Sequence, residues 1–182
     1  MRQYARLALS AACAVCLHSV PAKAAWFSGQ AFQPAQPSVR TVRFKGGVVR
    51  VEREANNDHI TVTNDSGERE SESQCPIQLA SYDELVRFFE SFVRAVDVRD
   101  MRMVASLARY PLQVNGASSI RIAGAPELIQ QYERVFSSDV LEKIRRAVPV
   151  RVFCRNGSAM IGNGVIWVSG RQGHVALDVV NR

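Results

Sequence analysis

One amphipathic helix constrains the fold of this 182-residue chain more than any other feature. Ser81 and Glu84 have the spacing of a capping box, in which each side chain bonds the other residue's backbone N–H at the start of a helix. Apolar residues then recur at intervals of three and four on one face, namely Leu85, Phe88, Phe89, Phe92, Val93 and Val96. The segment therefore predicts a helix whose apolar face packs on the rest of the domain.

The segments that follow predict further helices and then strands. Asp100 is expected to cap a shorter helix that runs to about residue 109, because Pro111 cannot continue it. Short strands and further helices are predicted at 112–116, 119–124, 126–136 and from 137 or 138 to 148. From residue 150 the chain reads as strands joined by turns at Asn156-Gly157, at 162–164 and at 170–173.

The glycine-rich stretch "MIGNGVIWV" (160–168) resembles a phosphate loop only in composition. A nucleotide-binding glycine loop leads into a helix whose N-terminus meets the phosphate, and no helix pattern or Lys-Ser/Thr pair follows Gly164. The stretch therefore predicts a turn between two strands. No serine or cysteine has the adjacent base that a nucleophile requires, so the sequence carries no catalytic motif.

The first 24 residues have the pattern of an export signal, with two arginines, an apolar run at 7–17 and small residues before the expected cleavage site. That run is about eleven residues long, whereas a membrane-spanning helix needs roughly twenty. Neither Cys13 nor Cys16 has a leucine three positions earlier, which disfavours a lipoprotein anchor. We therefore expect a periplasmic or secreted protein with no transmembrane segment after cleavage at residue 24.

Loss of residues 1–24 lowers the formal charge from +6 to +3, with 20 basic against 17 acidic residues left. The remaining charges of both signs are interspersed, so we expect no nucleic-acid partner. Cys75 and Cys154 also remain, and in an oxidising compartment they favour a disulfide that closes a 79-residue loop and stabilises the fold by about 4 kcal/mol. The alternative is an exposed thiol at Cys75 and a buried one at Cys154, because spacing alone carries no geometry.

Residues 25–74 precede the main domain as a linker and β-hairpin extension. Residues 25–39 are rich in small residues, Gln and Pro, which is typical of a linker. Two alternating runs about a Gly-Gly step at 41–52 predict a hairpin, and 59–64 adds a third strand. The polar, acidic stretch 65–74 predicts an exposed connection.

The order of these elements resembles the NTF2-like (cystatin-like) superfamily, and in particular its exported bacterial members. The stretches that carry the resemblance are "FFESFVRAVDVRDMRMVASLARYPLQVNG", "ELIQQYERVFSSDVLEKI" and "MIGNGVIWV", within residues 78–181. The resemblance implies an α+β cone at 75–182, in which helices pack on a curved, mainly antiparallel sheet, with a β-rich N-terminal extension. These motifs are structural, so they bear on fold more than on activity.

The resemblance also implies a conical cavity, which superfamily members use as a lyase or isomerase pocket, as a ligand cup or simply as a core. Tyr110, Trp167 and Asp178 are the candidate pocket residues, although an aromatic at the end of an apolar face is usually part of the core and Trp167 could also be an interface anchor. Strict alternation along the last strand points Asp178 outward, and a one-residue bulge would turn it inward. His59 and His174 have no companion carboxylate at ligand spacing, so neither a metal nor another cofactor is expected.

A second group of candidates lies in "VRVFCR" (150–155), where alternation places Arg151, Phe153 and Arg155 on the face opposite Val152 and Cys154. An aromatic residue between two cations is typical of a protein-interaction patch. The alternative is a solvated sheet face that the N-terminal hairpin partly covers.

The sequence therefore predicts an exported, non-catalytic protein-interaction module of the immunity, inhibitor or envelope-complex accessory type, whose partner is another protein of the cell envelope. The alternative is a protein that binds a small apolar ligand, or acts as a lyase or isomerase, in the cavity. Homodimerisation stays open.

Overall fold

The computed structural model describes residues 38–76, 79–171 and 174–182; the predicted signal peptide and the linker up to residue 37 lie outside the described residues. The described elements follow the order β1 (Ser38–Phe44), β2 (Gly47–Arg53), β3 (Asn57–Asn64), β4 (Arg69–Pro76), α1 (Tyr82–Asp97), α2 (Met101–Ser106), β5 (Ala108–Asn115), β6 (Ile120–Ile122), α3 (Ala125–Gln130), α4 (Tyr132–Val135), α5 (Ser138–Arg146), β7 (Phe153–Arg155), β8 (Ser158–Ile161), β9 (Ile166–Arg171) and β10 (His174–Asn181). This order confirms the predicted α+β class.

The strands form two sheets. The first sheet has the antiparallel order β1-β2-β3-β4, and the second has the order β6-β5-β10-β9-β8-β7. In the second sheet β10 pairs with β5 in parallel, whereas all other neighbouring strands of that sheet pair in antiparallel fashion. The second sheet is therefore mixed, with a single parallel pair among the described strands.

Helix α1 forms as the sequence predicts. The Ser81 N–H donates to Glu84 Oε2 at 2.7 Å, and the Glu84 N–H donates to Ser81 Oγ at 3.3 Å, which completes the capping box. The apolar stripe behind it is buried apart from Val93, which is partly buried against the core. Each large apolar side chain buried in this way contributes about 1.5–3 kcal/mol. Helix α1 contacts both α5 and β10, so it lies at the centre of the core.

The segment 65–74 was wrongly predicted as a connection. Most of it belongs to β4, which pairs with β3 in a continuous antiparallel register apart from one irregularity. Along β4, Ser73 and Cys75 are buried and the residues between and before them are more exposed. The strand alternates as strands do, but with small and polar residues, which is why its hydrophobicity gave no signal. The first strand also begins at Ser38, inside the predicted linker.

Several predicted helix and strand boundaries were wrong as well. Helix α2 ends at Ser106, before the predicted end at about residue 109, and β5 begins at Ala108. Pro111 lies within that strand, after a cis peptide bond, and does not end the helix. The helix predicted at 126–136 is divided in two at Gln131. The strand predicted from residue 150 begins only at Phe153.

A disulfide fastens the two sheets together. Cys75 of β4 and Cys154 of β7 are bonded, with their Cα atoms 5.2 Å apart, which confirms the predicted bridge. Both cysteines are buried, so the alternative of an exposed thiol at Cys75 was wrong. The Cys154 N–H also donates to Ser73 Oγ at 3.2 Å. These bonds hold β4 beside β7, where the candidate site lies.

A buried carboxylate links the first sheet to α1, in addition to the disulfide between the two sheets. Asp58 of β3 is 0% exposed and accepts hydrogen bonds from Arg53 Nε at 2.7 Å, from Arg53 Nη2 at 2.9 Å and from the Tyr82 N–H at 2.7 Å. Burial alone raises the pKa of Asp58, but the hydrogen bonds from Arg53 and Tyr82 outweigh it, so the pKa lies below its ordinary value. The carboxylate is therefore held in its ionised form.

The Tyr82 side chain extends this link to the segment before β7. Its hydroxyl donates to the Val150 carbonyl at 2.8 Å, and burial raises the pKa of Tyr82 to about 12.

Within the three described stretches of chain, none of the helices has the length and hydrophobicity needed to cross a lipid bilayer.

Candidate functional site

The face of the second sheet opposite the core carries a row of apolar side chains across four strands. Phe153 of β7 pairs with Met160 of β8, Met160 pairs with Trp167 of β9, and Trp167 pairs with Val179 of β10. Directly paired residues in antiparallel strands project to the same face, so these four form one row. We call Phe153, Met160, Trp167 and Val179 the outer row.

The neighbouring positions on the same strands show which face is the core. They are at most 5% exposed, and they are Cys154, Ala159, Ile161, Ile166, Val168 and Val180. The four members of the outer row are only partly buried. A sheet with one face packed on helices and the other face solvated normally carries polar residues on the second face, and the outer row departs from that pattern.

Polar side chains bonded to one another lie on one side of the outer row. Arg109 Nη1 donates to Ser169 Oγ at 2.6 Å, and the same nitrogen lies 3.4 Å from the Asp178 carboxylate. The Ser169 hydroxyl also bonds that carboxylate. Each of the three side chains therefore has a partner within this cluster.

Amide side chains lie on the other side of the outer row. Asn115 Nδ2 donates to Asn181 Oδ1 at 2.8 Å, and Asn181 Nδ2 donates to the Gly164 carbonyl at 2.5 Å. An apolar centre between polar borders is the arrangement found in protein interfaces.

Asp178 lies at a bulge in β10. The register shifts between Leu177 and Val179, so the bulge that the sequence left open is present. Leu177 and Val180 are fully buried, and the carboxylate between them meets Ser169 on the outer face. Asp178 therefore points outward despite the bulge, and Val179 is not inward as strict alternation predicted.

The turn "GNG" packs beside the outer row. Gly162, Asn163 and Gly164 have φ angles of 62°, 53° and 84°, and they join two antiparallel strands as predicted. A Cβ atom placed on Gly164 would lie 3.4 Å from both Met160 Sδ and Trp167 Nε1. The turn thus lies directly beside Met160 and Trp167, with space for little more than a Cβ atom between them.

A pocket of about 470 Å³ opens at the β7 end of the outer row, between β4, the end of α5 and the turn after β8. Its apolar lining includes two members of the outer row, Phe153 and Met160, together with Ile161. Its charged lining consists of three cations and one acid, namely Lys143, Arg146, Arg151 and Glu70. The pocket and the outer row therefore form one continuous surface.

The three predicted interaction residues do not all lie in the same place. Arg151 and Phe153 line the pocket, whereas Arg155 is exposed and lies outside its lining. Arg151 donates to Glu70 at 2.5 Å, and its guanidinium lies 5.7 Å from the centre of the Phe44 ring. Residues of the first sheet thus contact Arg151, which stays exposed, while Phe153 lies in the pocket wall.

The structure does not bring the three predicted pocket residues into one cavity. Trp167 lies on the outer face, because the alternation of β9 turns Ile166 and Val168 inward. Asp178 lies on the same face, where it meets Ser169. Tyr110 packs partly buried against the core, where burial raises its pKa and its hydroxyl donates to the Ala105 carbonyl at 2.9 Å.

Aromatic rings fill the interior that these residues were expected to line. Phe89, Phe92 and Phe136 are fully buried. The rings of Phe92 and Phe136 are 6.2 Å apart, and the Tyr132 ring lies 4.9 Å from that of Phe136. Rings at these separations are in packing contact, so this part of the core is occupied by the chain's own side chains.

His59 and His174 lie apart from the outer row. His59 Nε2 is 3.2 Å from the Glu54 carboxylate, and His174 is exposed. Within residues 38–76, 79–171 and 174–182, no three His, Cys, Asp or Glu side chains are grouped so that they could hold a metal ion.

Comparisons with protein-family models, with curated proteins and with solved structures found no match. The resemblance to the NTF2-like superfamily therefore stays a prediction, and the chemistry of the site has to be argued from its own residues.

Proposed function

We propose that this chain is an exported, non-catalytic binding protein that captures another protein of the cell envelope through the outer row, and that its helices and second sheet form an NTF2-like cone. The outer row is the observation that carries the proposal. Single apolar residues are common on protein surfaces, whereas a continuous apolar stretch bordered by polar residues marks an interaction site. Phe, Trp and Met are also among the residue types enriched in interface centres.

The surroundings of the outer row support the same proposal. The Arg109 cluster and the Asn115–Asn181 pair have internal hydrogen bonds, so they can border an interface without leaving unpaired polar groups when it closes. The pocket at one end has a volume of about 470 Å³, within the range of sites that enclose a bound group. Such a pocket suits an anchoring side chain of the partner.

The proposed location rests on two features. Residues 1–24 have the pattern of an export signal, and the disulfide between Cys75 and Cys154 suits an oxidising compartment. Proteins of the immunity, inhibitor or envelope-accessory type act there by binding alone, which fits a chain without a catalytic motif.

The replacement Phe153→Asp tests the proposal, because it puts a charge where the outer row meets the pocket. We expect the wild-type protein, isolated from the envelope fraction with an affinity tag, to retain a partner polypeptide. Loss of an aromatic anchor that joins the outer row to the pocket costs about 2 kcal/mol or more, so the variant should bind that partner at least about 30-fold more weakly.

Val39→Asp is the matched control. Val39 is 60% exposed on β1, so this substitution introduces the same charge outside the outer row. Both variants should keep the far-ultraviolet circular dichroism spectrum of the wild type. If the Phe153 variant holds the partner as tightly as the Val39 variant does, the outer row is not the binding surface.

A further inference from the structure

We infer that the pocket at the β7 end of the outer row takes an acidic segment of the partner, in which an aliphatic or aromatic side chain contacts Phe153 and Met160 and a neighbouring carboxylate pairs with Lys143 or Arg146. The inference rests on the proposed function and names the chemistry of the partner.

The charge of the lining is the first argument. Lys143, Arg146 and Arg151 line the pocket together with a single acid, Glu70, whereas the acids that pair with Lys143 and Arg146 lie outside the lining, so the lining itself carries an excess of positive charge. A concave surface lined by one sign of charge concentrates its field and attracts the opposite sign. A carboxylate that enters the pocket is therefore favoured over a cation.

The availability of two of these cations is the second argument. Lys143 Nζ bonds Asp139 at 2.6 Å with 50% and 65% of the two side chains exposed, and Arg146 pairs with Glu142 with 78% and 58% exposed. Exposed pairs of this kind contribute only about 0–1 kcal/mol, so a partner's carboxylate can replace either acid at little cost.

Arg151 is held differently. It bonds Glu70 at 2.5 Å, and these side chains are only 42% and 31% exposed. It also lies over the Phe44 ring, so its position in the pocket wall is fixed from two sides. Arg151 therefore contributes a positive charge held by two contacts, and Lys143 and Arg146 contribute positive charges that are more exposed.

The apolar lining is the third argument, and it favours a peptide segment over a small free anion. Phe153, Met160 and Ile161 lie beside the cations, and the apolar surface continues from Met160 to Trp167. An inorganic anion would leave this surface uncovered. A segment that carries both an apolar side chain and a carboxylate satisfies both parts of the lining.

A random library of 12-residue peptides displayed on phage tests the inference, with the protein purified from cells that express the whole chain as the target. We expect the selected peptides to carry Asp or Glu within two positions of a large apolar residue. A selected peptide, made synthetically with a fluorescent label, should bind Arg146→Glu about tenfold more weakly than wild type, and 0.5 M NaCl should weaken its binding to wild type.

Arg145→Glu is the matched control, because Arg145 directly precedes Arg146 in α5, does not line the pocket and pairs with Asp97 of α1 at 3.3 Å. Its effect on the affinity should be less than about twofold. Equal losses in the two variants would overturn the inference, because the attraction would then come from the overall charge and not from the pocket.

The remaining outcomes separate the inference from the proposed function. Selected peptides without acidic residues that still lose binding in Phe153→Asp would overturn the acidic partner and keep the outer row as the binding surface. Failure to select any peptide whose binding depends on Phe153 would overturn both.

Discussion

Replacement of Asp58 by asparagine tests whether one buried carboxylate holds the first sheet against α1. The aspartate accepts two hydrogen bonds from Arg53 and one from the Tyr82 N–H, and it is fully buried. Asparagine has nearly the same shape, but it is neutral, and an NH₂ group that can only donate replaces one of the two carboxylate oxygens. In the variant, a donor of Arg53 or Tyr82 must therefore face the amide NH₂, and the Arg53 charge has no counterion at this position.

The expected cost follows from the burial of the two partners. Removal of one member of a buried ion pair costs about 3–5 kcal/mol, because the other member keeps its charge without compensation. The Arg53 side chain is 31% exposed, so water can partly solvate it, and we expect a value at the lower end, about 3 kcal/mol. For a domain of this size, such a loss lowers the melting temperature by about 10 °C.

The assay is urea unfolding of the wild type, Asp58→Asn, Arg53→Met and the double variant at neutral pH. The double variant should be more stable than the sum of the two single losses predicts, because it leaves no unpaired charge. Glu72→Gln serves as the control, since Glu72 makes an exposed pair with Arg69 that contributes less than about 1 kcal/mol. A loss below about 1 kcal/mol in Asp58→Asn, or strict additivity with Arg53→Met, would refute the reasoning.

The dependence on pH gives an independent check with a definite sign. The folded-state pKa of Asp58 is lowered, so the unfolded chain binds a proton at a higher pH than the folded chain does. The stabilisation is therefore complete above the unfolded pKa of about 3.9 and is lost as the pH falls through the folded pKa. Because asparagine does not titrate, the unfolding free energies of wild type and variant should converge below about pH 4.

Two further predictions concern the disulfide and the turn beside the outer row. Replacement of both Cys75 and Cys154 by serine should lower the unfolding free energy by about 4 kcal/mol, as measured by urea unfolding, because the bridge closes a 79-residue loop; a loss below about 1 kcal/mol would contradict it. Gly162→Ala should cost about 2 kcal/mol in the same assay, because its φ angle is +62° and the new Cβ would lie 2.6 Å from Val165 Cγ1. Gly157→Ala has a similar φ of +74° but open space around the Cβ, so it should cost only about 1 kcal/mol, and equal losses would show that the contact with Val165 does not matter.

The parts of the fold that could be predicted are those in which local chemistry and burial agree. The capping box at Ser81 stands directly before an apolar stripe, and both signals place the start of α1 at the same residue. Strand β4 could not be predicted in this way, because Ser73 and Cys75 are its buried residues and neither has high strand propensity. Its place depends on backbone pairing with β3 and on the disulfide, which are contacts between segments that only the folded chain brings together.

Three members of the outer row follow from two turns. The Asn156-Gly157 turn has φ angles of 53° and 74°, which suits a two-residue hairpin and sets Arg155 opposite Ser158. Two positions farther from this turn on each strand, Phe153 lies opposite Met160. The next turn sets Ile161 opposite Ile166, and one step back from each places Met160 opposite Trp167. The sequence therefore contained the signal that Phe153 and Trp167 share a face, but it becomes visible only when the two turns are read together as hairpins.

The fourth member could not be obtained by the same counting. The strict period of a strand places Leu177 and Val179 on one face and Val180 on the other. The bulge between Leu177 and Val179 adds one residue to β10, so that Leu177 and Val180 are both buried and Val179 moves to the outer face opposite Trp167. The Asp178 carboxylate meets Ser169 and Arg109 at the border of the outer row, on the face that strict alternation already predicts for it. Because no residue type in "VALDVV" demands a bulge, the face on which the outer row's last member lies is a property of the pairing and not of the local sequence.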